Sequence, residues 1–248
     1  MSPEPHTPHL YFRPEAAALA GLWRERFVLE ERESPPVGGE GFYIWAAADH
    51  LELRRRGASD RAAAGAWVSC DEIRRRAGRR SDLAKACGAG AGRAPRVLDV
   101  MGGWGVDGLE LAFRGCPVTL IERDPRLHAL QHDLIRRLGV EASARLDDGY
   151  RVLRNSPACD VVYLDPMFPE RGKRALPGKR MQFLAELSAA DHRPLEQWLQ
   201  AAVATARMRV VVKRRLKDPT CAPPHWQIRG RTVRYDVYRG EAGARQYS

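Results

Sequence analysis

The sequence has no apolar run that approaches the ~20 residues of a membrane-spanning helix. Its first stretch, MSPEPHTPHLYF, lacks the charged and then apolar pattern of a secretory signal. The five cysteines are dispersed and form no C-x-x-C pair, which argues against a disulfide framework or a structural zinc site. We therefore expect a cytoplasmic protein with no membrane segment and no bound metal.

Acidic residues are scarcer than basic ones. The 248 residues include 31 Asp and Glu against 41 Lys and Arg, a formal net charge of +10. This excess favours a polyanionic partner, with nucleic acid as the first candidate. A chain of this length with 44% hydrophobic residues is long enough to bury a core.

The sequence divides into two parts of different pattern. Residues 1–95 predict a small α+β subdomain, and residues 96–248 predict a larger domain. The first part predicts a helix over PEAAALAGLWRERFVLEE, short strands at FYIWA, HLELRR and GAWVSC, and a basic helical stretch, CDEIRRRAGRRSDLAKACG, interrupted at Gly78. Residues 88–95, GAGAGRAP, indicate a flexible joint.

From Arg96 onward, short apolar strands alternate with amphipathic helices. Strands are predicted at RVLDV, PVTLIE, CDVVYLD, RMRVVVKR and RTVRYDVYRG, and helices at DGLELAFRG, DPRLHALQHDLIRRLG and RPLEQWLQAAVATA. This order predicts an α/β fold, a mostly parallel sheet with helices on both faces. Ligands of such sheets bind beyond the carboxyl ends of the strands, where the unusual residues of this part fall.

The segment VLDVMGGWGVDGLEL has the G-x-G-x-x-G spacing of a nucleotide-binding loop, at Gly103, Gly105 and Gly108. Glu122 ends the next strand, where it can accept hydrogen bonds from both hydroxyls of a ribose. On this pattern alone, a nicotinamide-dependent dehydrogenase and an S-adenosylmethionine (SAM) methyltransferase fit about equally.

The charge of this loop separates the two cofactors. It has no Lys or Arg between residues 97 and 113, while Asp99 ends the strand and Asp107 begins the helix. Two carboxylates repel a diphosphate and attract the ammonium and sulfonium groups of SAM. Asp147 and Asp148, at the expected end of the third strand, can bind the adenine amino group, although Asp before Gly is also ordinary turn chemistry.

The stretch VVYLDPMFP ends a strand with a carboxylate and two prolines. Asp165 and the carbonyl of Pro166 can accept the two N–H bonds of an exocyclic amine and turn its lone pair toward a methyl donor. Phe168 offers a face on which a base can stack, and Pro169 holds that ring. The motif predicts an amine methyltransferase.

VVYLDPMFP, together with GKRALPGKRM, HLELRRR, RRRAGRRSDLAKA and LIERDP, resembles the RsmJ-type 16S ribosomal RNA guanine-N2 methyltransferases. The resemblance covers about residues 50 to 240. It implies a Rossmann-like SAM-methyltransferase fold, SAM as the cofactor, and 16S rRNA or the small ribosomal subunit as the partner. It places SAM contacts at these positions: Val106, Asp107, Glu122, Arg123, Asp147, Asp148 and Asp165.

This chain departs from that family in the glycine loop. The family pattern D-A-T-A-G-x-G-R-D is replaced by DVMGGWGVD, so Met101 and Val106 stand where the family has a hydroxyl and a guanidinium. Asp147 and Asp148 replace small hydroxyl residues.

Three basic clusters are candidates for RNA phosphates, because they flank the predicted strand ends. Their members are Arg75, Arg76, Arg79 and Arg80, then Arg171, Lys173, Arg174 and Lys179, then Lys213 and Arg214. The alternatives left open are an amine methyltransferase acting on adenine N6 or a glutamine amide, an NAD-dependent oxidoreductase, and a non-catalytic RNA-binding module.

Overall fold

The computed structural model describes residues 7–36, 38–57, 65–167, 178–188 and 193–242. Two sheets organise the chain. The first has four strands in the order β2-β1-β3-β4. Its strands are β1 (His9–Phe12), β2 (Val28–Glu31), β3 (Phe42–Ala46) and β4 (Leu51–Arg55). β1 pairs parallel with β2 and β3, and β3 pairs antiparallel with β4.

The second sheet has seven strands in the order β10-β11-β9-β8-β5-β6-β7. Its strands are β5 (Val97–Asp99), β6 (Val118–Glu122), β7 (Ala142–Leu146), β8 (Cys159–Leu164), β9 (Ala206–Arg215), β10 (Trp226–Arg229) and β11 (Val233–Arg239). The strands from β9 to β7 pair parallel, and β11 is antiparallel to both of its neighbours. The carboxyl ends of five strands therefore meet at one edge.

Eight α-helices accompany the two sheets among the described residues. They are α1 (Ala17–Gly21), α2 (Cys70–Ala77), α3 (Asp82–Cys87), α4 (Val106–Phe113), α5 (Pro125–Leu138), α6 (Gly149–Asn155), α7 (Lys179–Ser188) and α8 (Leu195–Thr205). Apolar residues of α4 and α5 share a core with one sheet face, and those of α6 and α8 fill the core on the other. The predicted α/β architecture is confirmed.

The core on the α4 and α5 side continues into the first sheet, where Leu10, Ile44 and Leu53 are fully buried. The division of the chain into residues 1–95 and 96–248 stays a prediction. The basic stretch predicted as helical forms α2 and α3, with the break at Gly78 as expected. Ser69 caps α2 by accepting the amide of Glu72 at 3.1 Å.

Two predictions for the N-terminal part are wrong. The helix expected over residues 14–31 ends at Gly21, and Val28–Glu31 forms β2 instead. Gly21 destabilises a helix at that position. Val28 and Leu29 instead form a strand that pairs with β1, and a local sequence pattern does not reveal this pairing. In GAWVSC only Ala66 pairs, through a bridge to Leu53.

Candidate active site

A cavity of about 770 Å³ opens at the carboxyl edge of the seven-stranded sheet. Asp99, Glu122, Asp165 and Lys213 reach it from β5, β6, the end of β8 and β9. The sequence predicted a site at this edge. Of the predicted SAM contacts, these line the cavity: Asp99, Gly103, Val106, Asp107, Glu122, Arg123, Asp147, Asp148 and Asp165.

The glycine loop turns sharply between β5 and α4. Gly103 and Gly105 have φ values of +49° and +74°, which glycine adopts without strain. The side-chain amide of Gln131 donates to the carbonyl of Gly103 at 2.8 Å. Gly105 is the N-cap residue of α4 and does not itself line the cavity. It therefore shapes the loop through its backbone.

Glu122 is fixed by two backbone amides. Its carboxylate accepts from the amide of Gly103 at 2.9 Å and from that of Asp124 at 2.8 Å. Burial raises the pKa of Glu122 to about 7. The side chain thus ties the glycine loop to the end of β6, while its neighbour Arg123 donates to the carbonyl of Ser188 at 3.0 Å.

Asp107 lies at the centre of a buried polar cluster. It accepts from the hydroxyl of Tyr163 at 2.7 Å, from Lys213 Nζ at 2.6 Å and from the guanidinium of Arg76 at 2.5 Å. Arg76 also donates to Glu110 at 2.9 Å. Burial opposes ionisation of Asp107, but the charges of Lys213 and Arg76 outweigh it and lower the pKa. Asp107 is therefore a carboxylate that already has three donors.

Asp165 lies beside this cluster at the end of β8. Lys213 Nζ donates to its Oδ2 at 2.9 Å, and no hydrogen bond to Oδ1 is found among the described residues. The side chain is 30% exposed and lines the cavity. Burial raises the pKa of Asp165 to about 6, against the attraction of Lys213 and with the repulsion of Asp107. Asp165 is ionised at neutral pH and keeps one oxygen for a donor.

Asp99 ends β5 and is almost fully buried. Only 2% of the residue is exposed, and it accepts the amide of Met101 at 3.3 Å. Burial, followed by the repulsion of Asp165 and Asp107, holds its pKa well above the usual range. Burial thus disfavours the charged form of Asp99, whereas the pKa of Asp107 is lowered, which favours the carboxylate there.

Asp147 and Asp148 follow β7, as predicted, and both line the cavity. Asp147 pairs with Arg145 at 2.5 Å and accepts from Arg151 Nε at 2.8 Å. Burial would raise its pKa, but these bonds lower it. Asp148 caps α6 and pairs with Arg193 at 3.2 Å. Arginines thus hold both acids in place, and their adenine contact stays a prediction.

The candidate RNA residues fall into different environments. Arg75, Arg79 and Arg80 are exposed on and after α2. Arg76 and Lys213 instead bind the carboxylates of the buried cluster. Arg214 donates to the carbonyl of Pro219 at 2.9 Å, and Lys179 begins α7. Phe168, Pro169, Arg171, Lys173 and Arg174 lie outside the described residues.

Several cavity residues were missed from the sequence. Tyr163 read as part of an apolar strand, although its hydroxyl binds Asp107. Trp104 donates from Nε1 to the carbonyl of Arg180 at 2.9 Å, which joins the glycine loop to α7. Arg193 lies 4.9 Å from the ring centre of Tyr150. None of these contacts has a local sequence signal, because each joins residues far apart in the chain.

His128 and His132 stand four residues apart on α5, with ring centres 5.9 Å apart, and Trp23 packs edge-on against both.

Within the described ranges, no group of three or more His, Cys, Asp or Glu is arranged to hold a metal ion. Nor does any helix in those ranges have the length and apolarity needed to cross a membrane.

The parallel sheet is bordered by the antiparallel β11, and it has a glycine loop after β5 and acidic residues at the strand ends. This combination defines the class of SAM-binding methyltransferases. The model of a family described as "Putative SAM-dependent methyltransferase" matches residues 22–240. A solved SAM-dependent methyltransferase from Neisseria gonorrhoeae is 25% identical with a TM-score of 0.71, covering 96% of this chain and 99% of that one.

A Thermus thermophilus 16S rRNA N2 G1207 methyltransferase (RsmC), solved with AdoMet and guanosine, has a TM-score of 0.50. At 16% identity, over 85% of this chain and 53% of that one, it shows the fold alone.

Curated relatives define the family. Ribosomal RNA small subunit methyltransferase J from Alkalilimnicola ehrlichii is 36% identical over 92% of both chains. The protein of that name from Pseudomonas aeruginosa is 42% identical over 64% of this chain, and the match spans 66% of its own length, just under two thirds. The chain belongs to this family of SAM-dependent methyltransferases. The predicted family, fold class and cofactor are confirmed.

Proposed function

We propose that this protein transfers the methyl group of SAM to the exocyclic N2 amine of a guanine in small-subunit ribosomal RNA. The relatives described above are named for ribosomal RNA small subunit methylation, which supports this substrate. The observation that carries the proposal is Asp165, which lines the cavity with Oδ2 bound to Lys213 and, among the described residues, no hydrogen bond to Oδ1.

The residues of the cavity fit SAM. Glu122 and the glycine loop are tied together at one end, where a ribose can bind, and Asp147 and Asp148 lie at the end of the next strand. The ionised Asp107 and Asp165 favour a cofactor with a net positive charge, and a neutral or acidic loop does not favour a diphosphate. Bound SAM supplies an electrophilic methyl group on sulfur.

Residues of the chain would orient the acceptor. Asp165 Oδ1 and the carbonyl of Pro166 accept the two N–H bonds of the guanine amine, which turns the nitrogen lone pair away from the ring. SAM held by the glycine loop, Asp107 and Glu122 would supply the methyl group, with the neutral thioether as the leaving group, and the amine nitrogen would accept it. The amine then loses one proton to Asp165, whose pKa of about 6 lets it pass the proton on to water near neutral pH.

Basic residues near this edge would bind RNA phosphates. Arg75, Arg79 and Arg80 are exposed on and after α2, and Lys179 is half-buried at the start of α7. Such contacts supply affinity that falls steeply with salt. We also propose that residues 1–95 act as a separate subdomain of this RNA-binding surface, and that the protein is cytoplasmic.

The test is tritium transfer from labelled SAM to undermethylated small subunits and to free 16S rRNA, followed by nucleoside identification. Asp165→Ala should abolish transfer while the fold and most RNA binding remain. The control is Asp160→Ala, near the opposite end of the same strand, where the carboxylate accepts the amide of Arg96 at 2.9 Å. The proposal would be contradicted if the tritium label appeared in N6-methyladenosine or in a protein. Full activity of the Asp165→Ala variant would also contradict it.

A further inference from the structure

A second hollow, of about 480 Å³, adjoins the active-site cavity. Residues 65–67 and Ser69 line one side of it, and residues 178–181 line the other. Glu72, Arg180 and Met181 line both the hollow and the cavity, so the two spaces share a wall. A volume of this size lies in the range of ~300–1,000 Å³ that holds small organic ligands.

Trp67 lies at the rim of this hollow. Its residue is 37% exposed, whereas Trp23, Trp45, Trp104 and Trp198 are at most 6% exposed. The imidazole of His50 packs against the indole, with ring centres 4.0 Å apart and planes tilted by 34°. The indole is thus supported by the protein and still presents surface to the hollow.

The segment that holds Trp67 is rigid. Leu53 and Ala66 exchange two backbone hydrogen bonds of 2.9 Å. From α5, Arg137 donates to the carbonyl of Val68 at 3.2 Å, and its guanidinium lies 5.7 Å from the indole centre. Asp133 holds Arg137 in turn, at 2.8 Å. An aromatic surface fixed in this way loses little conformational entropy when a ligand stacks on it.

The opposite side of the hollow is basic. Lys179 and Arg180 contribute the cations, and Arg180 is fixed by Glu72 at 2.9 Å. The backbone of Arg180 also accepts from Trp104 of the glycine loop. The wall between the two spaces is therefore attached to the cofactor loop. An aromatic platform facing cations is the combination that binds single-stranded nucleic acid, by stacking on the base and neutralising the phosphate.

We propose that this hollow is a subsite for a nucleotide that flanks the target guanine, with its base on Trp67 and its phosphate near Lys179. The inference rests on the proposed function, because it requires an RNA whose guanine enters the adjoining cavity. A guanine displaced from its stack leaves a neighbouring base exposed, and Trp67 replaces the lost stacking partner. The subsite thus selects single-stranded or unstacked RNA around the target.

The experiment compares Trp67→Ala with Trp67→Phe in methyl transfer to undermethylated small subunits. Loss of one base stack raises KM for RNA by about 5- to 150-fold, and phenylalanine restores most of this because it keeps a stacking face. SAM affinity, measured by calorimetry, stays at the wild-type value. The matched control is Trp226→Ala on β10. Trp226 is 36% exposed, its ring centre lies 5.4 Å from the guanidinium of Arg209, and it lines neither space.

Photocrosslinking of the wild-type protein to the same particles gives a second readout that needs no variant to fold. We expect a crosslink between the peptide around Trp67 and a nucleotide next to the methylated guanine. If the wild type methylates the guanine but Trp67→Ala keeps its KM and no such crosslink forms, the subsite is refuted and the proposed function stands. If the wild type does not methylate rRNA guanine at all, both fail. A crosslink to a ribosomal protein at Trp67 also overturns the subsite.

Discussion

Replacing Lys213 by methionine removes the ammonium group that bonds both Asp107 and Asp165, at 2.6 and 2.9 Å. Methionine keeps a similar length and can fill the same space. The positive charge of Lys213 lowers the pKa of Asp165, which burial otherwise raises. Without this charge, we expect Asp165 to bind its proton more tightly, and a protonated Asp165 is a poorer acceptor for the amine.

The size of the effect follows from the distance. An opposite charge within about 4–6 Å shifts a carboxyl pKa by about 1–3 pH units. Starting from about 6, the pKa of Asp165 moves to between about 7 and 9. At pH 7.5 the ionised fraction falls from about 97% to between about 76% and 3%, and it recovers near pH 9.5. Activity that requires the carboxylate is lost as pH falls through this pKa, so the acid limb of the profile moves to higher pH.

The assay is kcat/KM for methyl transfer between pH 5 and 10, alongside thermal melting. Lys213→Met also breaks a buried pair at a cost of about 3–5 kcal/mol of stability, so Lys213→Arg serves as the second variant. Arginine keeps the charge and should restore the acid limb. Lys85→Met is the control, because Lys85 pairs with Asp82 at 3.1 Å on the surface, where such pairs contribute little. An unmoved acid limb in a folded Lys213→Met would refute the reasoning.

Two further predictions concern the cofactor loop and its surroundings. Glu122→Ala should weaken SAM binding by about 10- to 150-fold in calorimetry, since hydrogen bonds to a charged group contribute ~1.5–3 kcal/mol; an unchanged affinity would refute the ribose assignment. Gly149→Ala should lower stability by at least ~1–3 kcal/mol, because a Cβ there would lie 2.1 Å from the carbonyl of Val100. Gly178→Ala, whose added Cβ would have no described atom within 4 Å, is the control in melting, and equal losses would contradict the packing argument.

The sequence predicted the alternating order of strands and helices, because apolar periodicity and helix caps are local signals. Asp124 illustrates this, since it accepts the amides of Arg126 and Leu127 at the start of α5, as expected of a capping residue. The strand ends likewise placed Glu122 and Asp165 at one edge. The helix predicted over residues 14–31 was wrong at its end, because β2 forms there by pairing with β1, a separate segment of the chain.

The role of Lys213 could not be predicted from its neighbours in the sequence. Lys213 stands in a run of basic residues, KRR, so the sequence predicted a phosphate contact for it. The parallel register of β8 and β9 pairs Leu164 with Val212, which brings the next two residues, Asp165 and Lys213, side by side. Register between parallel strands is set by tertiary packing rather than by a turn. A residue whose function depends on register therefore has no signature of its own.

The buried charged cluster connects Asp107, on the proposed cofactor side of the cavity, with Asp165, on the proposed acceptor side. Asp107, Glu110 and Asp165 are joined to Arg76, Arg114 and Lys213, so three carboxylates face three cations. Because Lys213 bridges Asp107 and Asp165, a cation bound near Asp107 also favours the ionised form of Asp165. By reciprocity, ionised Asp165 strengthens the binding of that cation. Asp165 is therefore the better acceptor for the guanine amine when the methyl donor is in place.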